Sequence, residues 1–324
     1  MQPDCRITVR NSADLIAVTP YLLGFHPSDS VVVIGTVGPV VSFAARHDFL
    51  APDDEDADVI APLVAAQEVE AVTLLGFGPP GPVDRTVRAF FRDLQHHGVR
   101  VLDRVRVTAG RWWSYDCADP LCCPPDGNPV PSPHSPIAAS AVFQGHVALP
   151  DRRALVEQIA GVEGEQRERM RALTAELCAR GSGPPEGIER AGRYLVQMAE
   201  ERYSSGRTLT LEETALLGVL LADPVVFDHA VDRTRDEDWR VALWTEVTRR
   251  VEPVWVAPAA ALLAYSAWRA GLGSLARVAL DRALLHDPTH RFSWALDRLM
   301  AAGVSHELVD DLHETVREWP EGSL

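Results

Sequence analysis

The chain contains no lysine; every one of its 31 cationic side chains is arginine, the mark of a GC-rich coding sequence. Those 31 cations face 46 acidic residues, giving a formal net charge of −15 over 324 residues. No concentrated basic run is present. This argues against nucleic acid or an anionic membrane surface as the main partner, since both draw affinity from clustered cations. Long hydrophobic runs are also missing. The longest apolar stretch, Val31 to Ala45, is broken by Gly35, Gly38 and Pro39. It reads as two strands and a turn, whereas a membrane helix needs roughly 20 unbroken apolar residues. Met1 is followed by Asp4, Cys5 and Arg6 rather than by the apolar core of a secretory signal. Five cysteines, an odd number at uneven spacings, do not form a secreted disulfide framework. These absences together predict a cytoplasmic protein with no membrane and no nucleic-acid partner. Catalytic signatures are equally scarce: there is no G-x-S-x-G elbow, no H-E-x-x-H, no Walker loop and no C-x-x-C.

What is present divides near residue 160. Hydrophobic residues make up 46% of the chain, enough to fill real cores, so wholesale disorder is excluded. Seventeen of the 24 prolines fall at or before Pro150, where short apolar runs alternate with turns. Beyond that point the pattern is a near-continuous series of amphipathic helices. The expectation is an α/β domain over 1–160, with a mixed, largely parallel sheet and flanking helices, followed by an all-α helical-hairpin domain over 161–324.

In the first half, Ser12 is placed to cap a helix carrying Leu15, Ile16 and Val18 that Pro20 ends or bends. Val31 to Gly35 does not alternate, which predicts a strand buried on both faces. Val40 to Arg46 is its antiparallel return. The acidic run Asp53 to Asp58 reads as a solvated loop and helix start. Ala71 to Leu75 and Val99 to Leu102 are strands. Between them Val83, Val87, Phe90, Phe91 and Leu94 share one helix face, and Gly98 stops the helix. Such a strand–helix–strand unit predicts a right-handed crossover. Seven prolines between Pro120 and Pro136 exclude regular structure there, and a helix resumes from Ile137 to Phe143.

In the second half, Ile188, Ala191, Leu195 and Met198 form one helical stripe, and Val241, Trp244, Val247 and Val251 another. Thr210 and Glu213 have capping-box spacing. Near 258–288, the residues Leu263, Ala264, Gly271, Ala276, Leu280, Ala283 and Pro288 resemble a tetratricopeptide unit, with small residues where two helices touch. One period onward the pattern lands on Asp297 and fails, so the expectation is a hairpin rather than an array.

Two stretches are distinctive. One is Pro20-Tyr21-Leu22-Leu23-Gly24-Phe25-His26-Pro27-Ser28-Asp29-Ser30 followed by Val31 to Ile34. The other is Arg111-Trp112-Trp113-Ser114-Tyr115-Asp116-Cys117 leading to Cys122-Cys123-Pro124. Together they resemble an actinobacterial family of proteins, the domain of unknown function 4192, over most of the chain. The resemblance implies a fold relationship and supplies no activity, cofactor or functional residue.

Four constellations could carry chemistry. Cys117, Cys122, Cys123 and His134 could supply three thiols and an imidazole to zinc, which favours four such ligands in a tetrahedron. Adjacent cysteines point apart in extended chain, so the competing readings are buried packing beside Trp112 and Trp113, or a reactive thiol. Gly76-Phe77-Gly78-Pro79-Pro80-Gly81 matches G-x-G-x-x-G between a strand and a helix, with Asp103 expected at the end of the next strand as a ribose partner. Against a dinucleotide, Pro79 and Pro80 remove two backbone donors from the phosphate-cradling turn. His26, Ser28 and Asp29 invite a triad reading. The structural alternative is a tight turn in which Ser28, Asp29 and Ser30 bond neighbouring backbone. Alternation puts Trp112 on one strand face and Arg111, Trp113 and Tyr115 on the other. That second face could line a ligand groove with Arg111 as anion anchor, or Arg111 could simply stack on a ring.

Three functions compete on this reading: a non-enzymatic binding or regulatory protein whose helical domain contacts a protein partner; an enzyme with its site near Cys117, Arg111 and His26 at the carboxyl ends of the strands; and a zinc-stapled structural module. The first is the reading favoured here, chiefly for the helical hairpin and the missing catalytic motifs.

Overall fold

The computed structural model describes residues 9–51, 60–67, 69–180 and 185–304. The acidic run Asp53–Asp58 lies outside them. The chain forms two compact units, one of residues 1–154 with 301–304 and one of residues 155–300 with 305–324.

Unit 1 opens with helix α1 (Ser12–Leu23). Its N-cap is Asn11, whose side chain accepts from the Asp14 N–H at 2.9 Å, rather than the expected Ser12. Ser12 is thereby freed to point its hydroxyl elsewhere. The helix runs through Pro20 and stops at Gly24, whose φ of 79° is the left-handed conformation glycine tolerates. Strands β1 (Ser30–Val37) and β2 (Val40–Asp48) follow as an antiparallel hairpin. Short helix α2 (Ile60–Ala65) leads to β3 (Ala71–Phe77), then α3 (Pro80–His96), β4 (Val101–Thr108), β5 (Arg111–Ser114), β6 (Asn128–Pro129) and α4 (Pro136–Phe143). The buried Asp93 of α3 caps α2 from outside, accepting the amide N–H groups of Ile60 at 3.2 Å and Ala61 at 2.9 Å.

The six strands are ordered β2-β1-β3-β4-β5-β6. Of the five pairings only β3 with β4 is parallel; the other four are antiparallel. The expectation of a largely parallel sheet is therefore wrong, and the sheet is mixed and mostly antiparallel. The continuous apolar run of β1 misled it. Seven of its eight residues are buried, but helices cover both faces of a strand flanked by two antiparallel neighbours. The alternation is strict underneath. Val31, Val33, Val72 and Leu74 join Val83, Val87, Phe90 and Leu94 of α3 in one core, whereas Thr36, Thr73 and Asp103 face the side on which Leu15 of α1 lies. The proline-rich segment is not wholly irregular, since Asn128 and Pro129 pair with Trp112 and Arg111 at the sheet edge.

Helix α5 (Arg152–Gln158) spans the division between the units. Unit 2 continues with α6 (Glu165–Ala179), α7 (Pro185–Ser204), α8 (Leu211–Leu220), α9 (Pro224–Asp232), α10 (Asp238–Arg250), α11 (Val256–Arg269), α12 (Gly273–His286) and α13 (Arg291–Ala301). The Thr210–Glu213 capping box forms, with bonds of 2.8 and 3.2 Å. Helices α11 and α12 pack as a hairpin over Leu263, Ala264, Ala276, Leu280 and Ala283, all buried. The stripe on α7 is rotated by one position: Gly192, Leu195, Val196 and Ala199 turn inward and Ala191 outward. Gly192 decides this, because a Cβ there would sit 2.3 Å from Val226 Cγ2 of α9. The buried Glu200 on the same face pairs with Arg233 at 2.5 Å and with Arg240. No single helix among the described residues is long and apolar enough to cross a membrane.

Candidate metal centre and adjoining cavity

Strand β5 positions the chemistry by sending its two faces to different tasks. Arg111 and Trp113 lie on the α3 face and tie down the loop that follows. The Arg111 guanidinium donates to the Gly127 carbonyl at 2.8 Å, and the Trp113 indole N–H donates to the Pro125 carbonyl at 3.1 Å. Arg106 of β4 lies over the Trp113 ring at 4.6 Å. Arg111 is thus a loop clamp rather than an anion anchor, and it is Arg106 that stacks on the ring. Tyr115 on the same side donates to Asp84, and burial with that bond holds its hydroxyl well above its ordinary value.

The opposite face of β5 carries Ser114, which organises everything near it. Its hydroxyl donates to Asp103 at 2.6 Å and accepts the amide N–H groups of Asp116 at 3.1 Å and Cys117 at 3.2 Å. Beyond Cys117 the chain coils into a tight turn. The Asp119 carbonyl accepts from Cys122 at 3.1 Å and Cys123 at 2.7 Å, and its carboxylate accepts the Leu121 N–H at 2.9 Å. The Asn128 side chain anchors the Cys122 carbonyl at 2.9 Å.

This turn overrides the geometry of extended chain. The sulfurs of Cys117, Cys122 and Cys123 all lie within 4.8 Å of one another. A tetrahedral zinc with bonds of about 2.3 Å separates its sulfurs by about 3.8 Å, so the trio closes on such an ion by small side-chain movements. Cys117 and Cys123 are half-buried and Cys122 is exposed, all three as free thiols, so none is the buried packing residue of the competing reading. His134 stands outside the group, exposed, with its own backbone turned onto Ser132 at 3.1 Å. The expected fourth ligand is therefore missing from the cluster, and the described residues supply three.

The sulfurs sit among amide donors. The Cys117 thiol is held below its ordinary value, first by the Asp119 amide and then by the thiols of Cys123 and Cys122, which donate to it. Cys122 is held up because it donates to Cys117 and faces its charge. Cys123 is pushed up to about 11, first by burial and then by its bond to Cys117, with the Ser114 amide opposing. Metal binding deprotonates thiols, so the lowered Cys117 favours a soft cation, while the raised Cys122 and Cys123 make its uptake release protons.

Beside the trio lies a cavity of 480 Å³, on the α1 side of the sheet. Cys117, Asp103, Ser12, Ser114, Thr36, Thr73 and Leu15 are among its lining residues. The carboxylate of Asp103 accepts the Ser114 hydroxyl on one oxygen and the Ser12 hydroxyl on the other. Asp103 pairs with Thr73 near the start of β4, three residues short of the level of Gly76. The cavity therefore opens toward the amino ends of β3 and β4. The expectation of a site at their carboxyl ends fails because a single parallel pair creates no switch point there.

The other sequence candidates do not converge on this place. Gly76 exists for packing, since a Cβ would stand 2.3 Å from Val83 Cγ1. Gly78 approaches Phe49 and Asp29 in the same way and has a φ of 139°. Neither Gly76, Gly78, His26, Asp29, Arg111 nor Trp113 lines the cavity. The dinucleotide reading thus loses both its glycine turn and its ribose carboxylate. The His26 backbone donates to Leu149 at 2.9 Å and its side chain is exposed, while Asp29 is a left-handed turn residue with φ 45°. Ser30, expected to bond nearby backbone, instead buries an unpartnered hydroxyl. What sequence reasoning missed was Ser12, Ser114 and the Asp119 turn. The D-P-L-C-C order was the available signal, because Asp is a residue that closes such turns.

A mixed α/β unit bearing a three-thiol centre, joined to an all-helical unit, is the class of protein that these features define. The chain belongs to the family described as Domain of unknown function (DUF4192), whose model matches residues 13–307. No curated protein and no solved structure matches it.

Proposed function

We propose that this is a non-enzymatic binding protein whose α/β unit holds a thiophilic metal ion, zinc first among them, on Cys117, Cys122 and Cys123. The observation that supports it is the convergence of three sulfurs within 4.8 Å on a turn held by Ser114 and Asp119. Softness of the donor set selects zinc and other thiolate-seeking ions over magnesium or calcium. The described residues supply three ligands, and a fourth position open to an exogenous group is the pattern of an exchanging site rather than of a closed structural one. Free thiols in this arrangement suit a reducing compartment, and the cytoplasm is the location we assign. The all-helical unit serves as the partner-binding element, its α11–α12 hairpin resembling a tetratricopeptide unit.

Metal analysis of protein purified without chelator tests the reading. About one zinc per chain is expected, lost in Cys117→Ser, Cys122→Ser and Cys123→Ser and retained in His134→Ala. Metal-free protein that takes up no zinc on incubation overturns it.

A further inference from the structure

We infer that the cavity beside the thiol centre binds a small aminothiol, with its ammonium on Asp103 and its sulfur in the fourth position of the metal. The inference rests on the metal reading above and names the ligand of that same site.

Three features select this ligand class. First, Cys117 belongs both to the thiol trio and to the cavity wall, so a molecule in the cavity lies against a residue of the trio. Second, Asp103 is a half-buried carboxylate in that wall which, among the described residues, makes hydrogen bonds to two hydroxyls and no ion pair. Arg104 is on the other face of β4, bound to Asp116 through Nε at 3.0 Å, and Arg10, the cation in the cavity wall, is exposed and makes no ion pair with Asp103 among the described residues. A carboxylate so placed is the natural counter-ion of an ammonium, which can also use the hydroxyl oxygens of Ser12 and Ser114 and of Thr36 and Thr73 in the same wall. Third, Ser114 joins the two halves. It donates to Asp103 at 2.6 Å and accepts the Cys117 amide at 3.2 Å, so one hydroxyl ties the carboxylate to the backbone of a thiol ligand.

Charge points the same way. Three thiolates on a divalent ion carry a net charge of −1, and a fourth bare thiolate would raise it to about −2. An ammonium on the incoming ligand offsets that increment. Binding is a ligand exchange without oxidation: a metal–sulfur bond forms, the ligand thiol releases its proton to solvent, and the water in the fourth position departs. Leu15 and Leu102 give the cavity an apolar side for the carbon chain.

The test uses the full chain loaded anaerobically with cobalt(II), whose thiolate charge-transfer bands report each sulfur bound. Cysteamine and 2-mercaptoethanol are titrated against it, two thiols of one length that differ in carrying an ammonium or a hydroxyl. Cysteamine is expected to bind the wild type more tightly, and the preference should fall at least tenfold in Asp103→Asn. Leu102→Trp, a change at an exposed wall residue, should block cysteamine while leaving the cobalt–thiolate spectrum intact. A normal three-thiolate spectrum with a preference unaltered by both variants overturns the aminothiol proposal and leaves the metal reading standing. Absence of any thiolate band on cobalt addition overturns the metal reading and this inference with it.

Discussion

Replacing Gly127 with alanine should release the cysteine loop without unfolding the domain. Gly127 has a φ of 77°, and a Cβ there would lie 2.4 Å from Trp113 Cε2 and 2.6 Å from Cζ2. Ordinary carbon contacts are about 3.5–4.0 Å, so ring or loop must move by more than about 1 Å. The ring cannot give way readily. Arg106 lies over it at 4.6 Å and its indole N–H is bound to Pro125 at 3.1 Å. Overpacking of this kind costs about 1–3 kcal/mol, and a left-handed alanine about 1–2 kcal/mol. Gly110 supplies the control: its φ is 75°, but nothing lies within 4 Å of its missing Cβ. Gly110→Ala therefore carries the backbone strain alone. The excess of about 1–3 kcal/mol in Gly127→Ala corresponds to roughly 5- to 150-fold faster exchange through local opening. The assay is hydrogen exchange at the Cys123 amide, bonded to Asp119 at 2.7 Å, measured at peptide level in both variants. Equal protection at Cys123 in Gly127→Ala and Gly110→Ala would refute the claim that Trp113 locks the loop.

Three further outcomes follow from the same structure. Glu200→Ala should destabilise unit 2 by about 1.5–3 kcal/mol in urea unfolding, because Arg240, whose side chain is only 8% exposed, then keeps Glu237 at 2.7 Å but loses its buried carboxylate partner; an unchanged stability would contradict that reading. Gly76→Ala should cost about 1–3 kcal/mol through overlap with Val83 at 2.3 Å, read as a lowered thermal midpoint, and an unchanged midpoint would argue against close packing of α3 on β3. His290 accepts the Ser293 N–H at 3.3 Å as a cap of α13, and burial, opposed by Asp287, holds its pKa below the ordinary 6.5. The unfolded state then binds the proton more readily, so unit 2 should lose stability as pH falls below about 6.5; His290→Asn, a cap that does not titrate, should reduce that slope, leaving the part due to His229 and His286, which are lowered in the same direction.

The elements that the sequence announces are those whose signals are local. Hydrophobic spacing over Val83 to Leu94 defines α3, and the Thr210–Glu213 pair starts α8 where it was expected. Strand direction is a different matter. The run Val31–Ile34 records burial on both faces, and burial is the same whether neighbours are parallel or antiparallel. Apolar spacing turns Ala191 inward and ignores Gly192, because no pattern of apolar residues reveals that Val226 approaches a missing side chain. At the site, the cysteines were legible as residues but their convergence was not. It depends on a backbone turn at Asp119 and on the hydroxyl of Ser114. His134 fits zinc-ligand arithmetic along the chain and lies elsewhere in space. Asp103 reads along the chain as the ribose partner of a Gly-rich loop, and it stands instead in the wall of a cavity that it shares with Ser12 and Cys117.

The central claim is that the sulfurs of Cys117, Cys122 and Cys123, the three ligands found among the described residues, hold one soft ion. X-ray absorption at the zinc edge of the loaded, thiol-free protein counts the scatterers directly. The account predicts three sulfurs at about 2.3 Å and one lighter oxygen neighbour. A shell with an imidazole in place of a sulfur, or one made of oxygen and nitrogen alone, would contradict it.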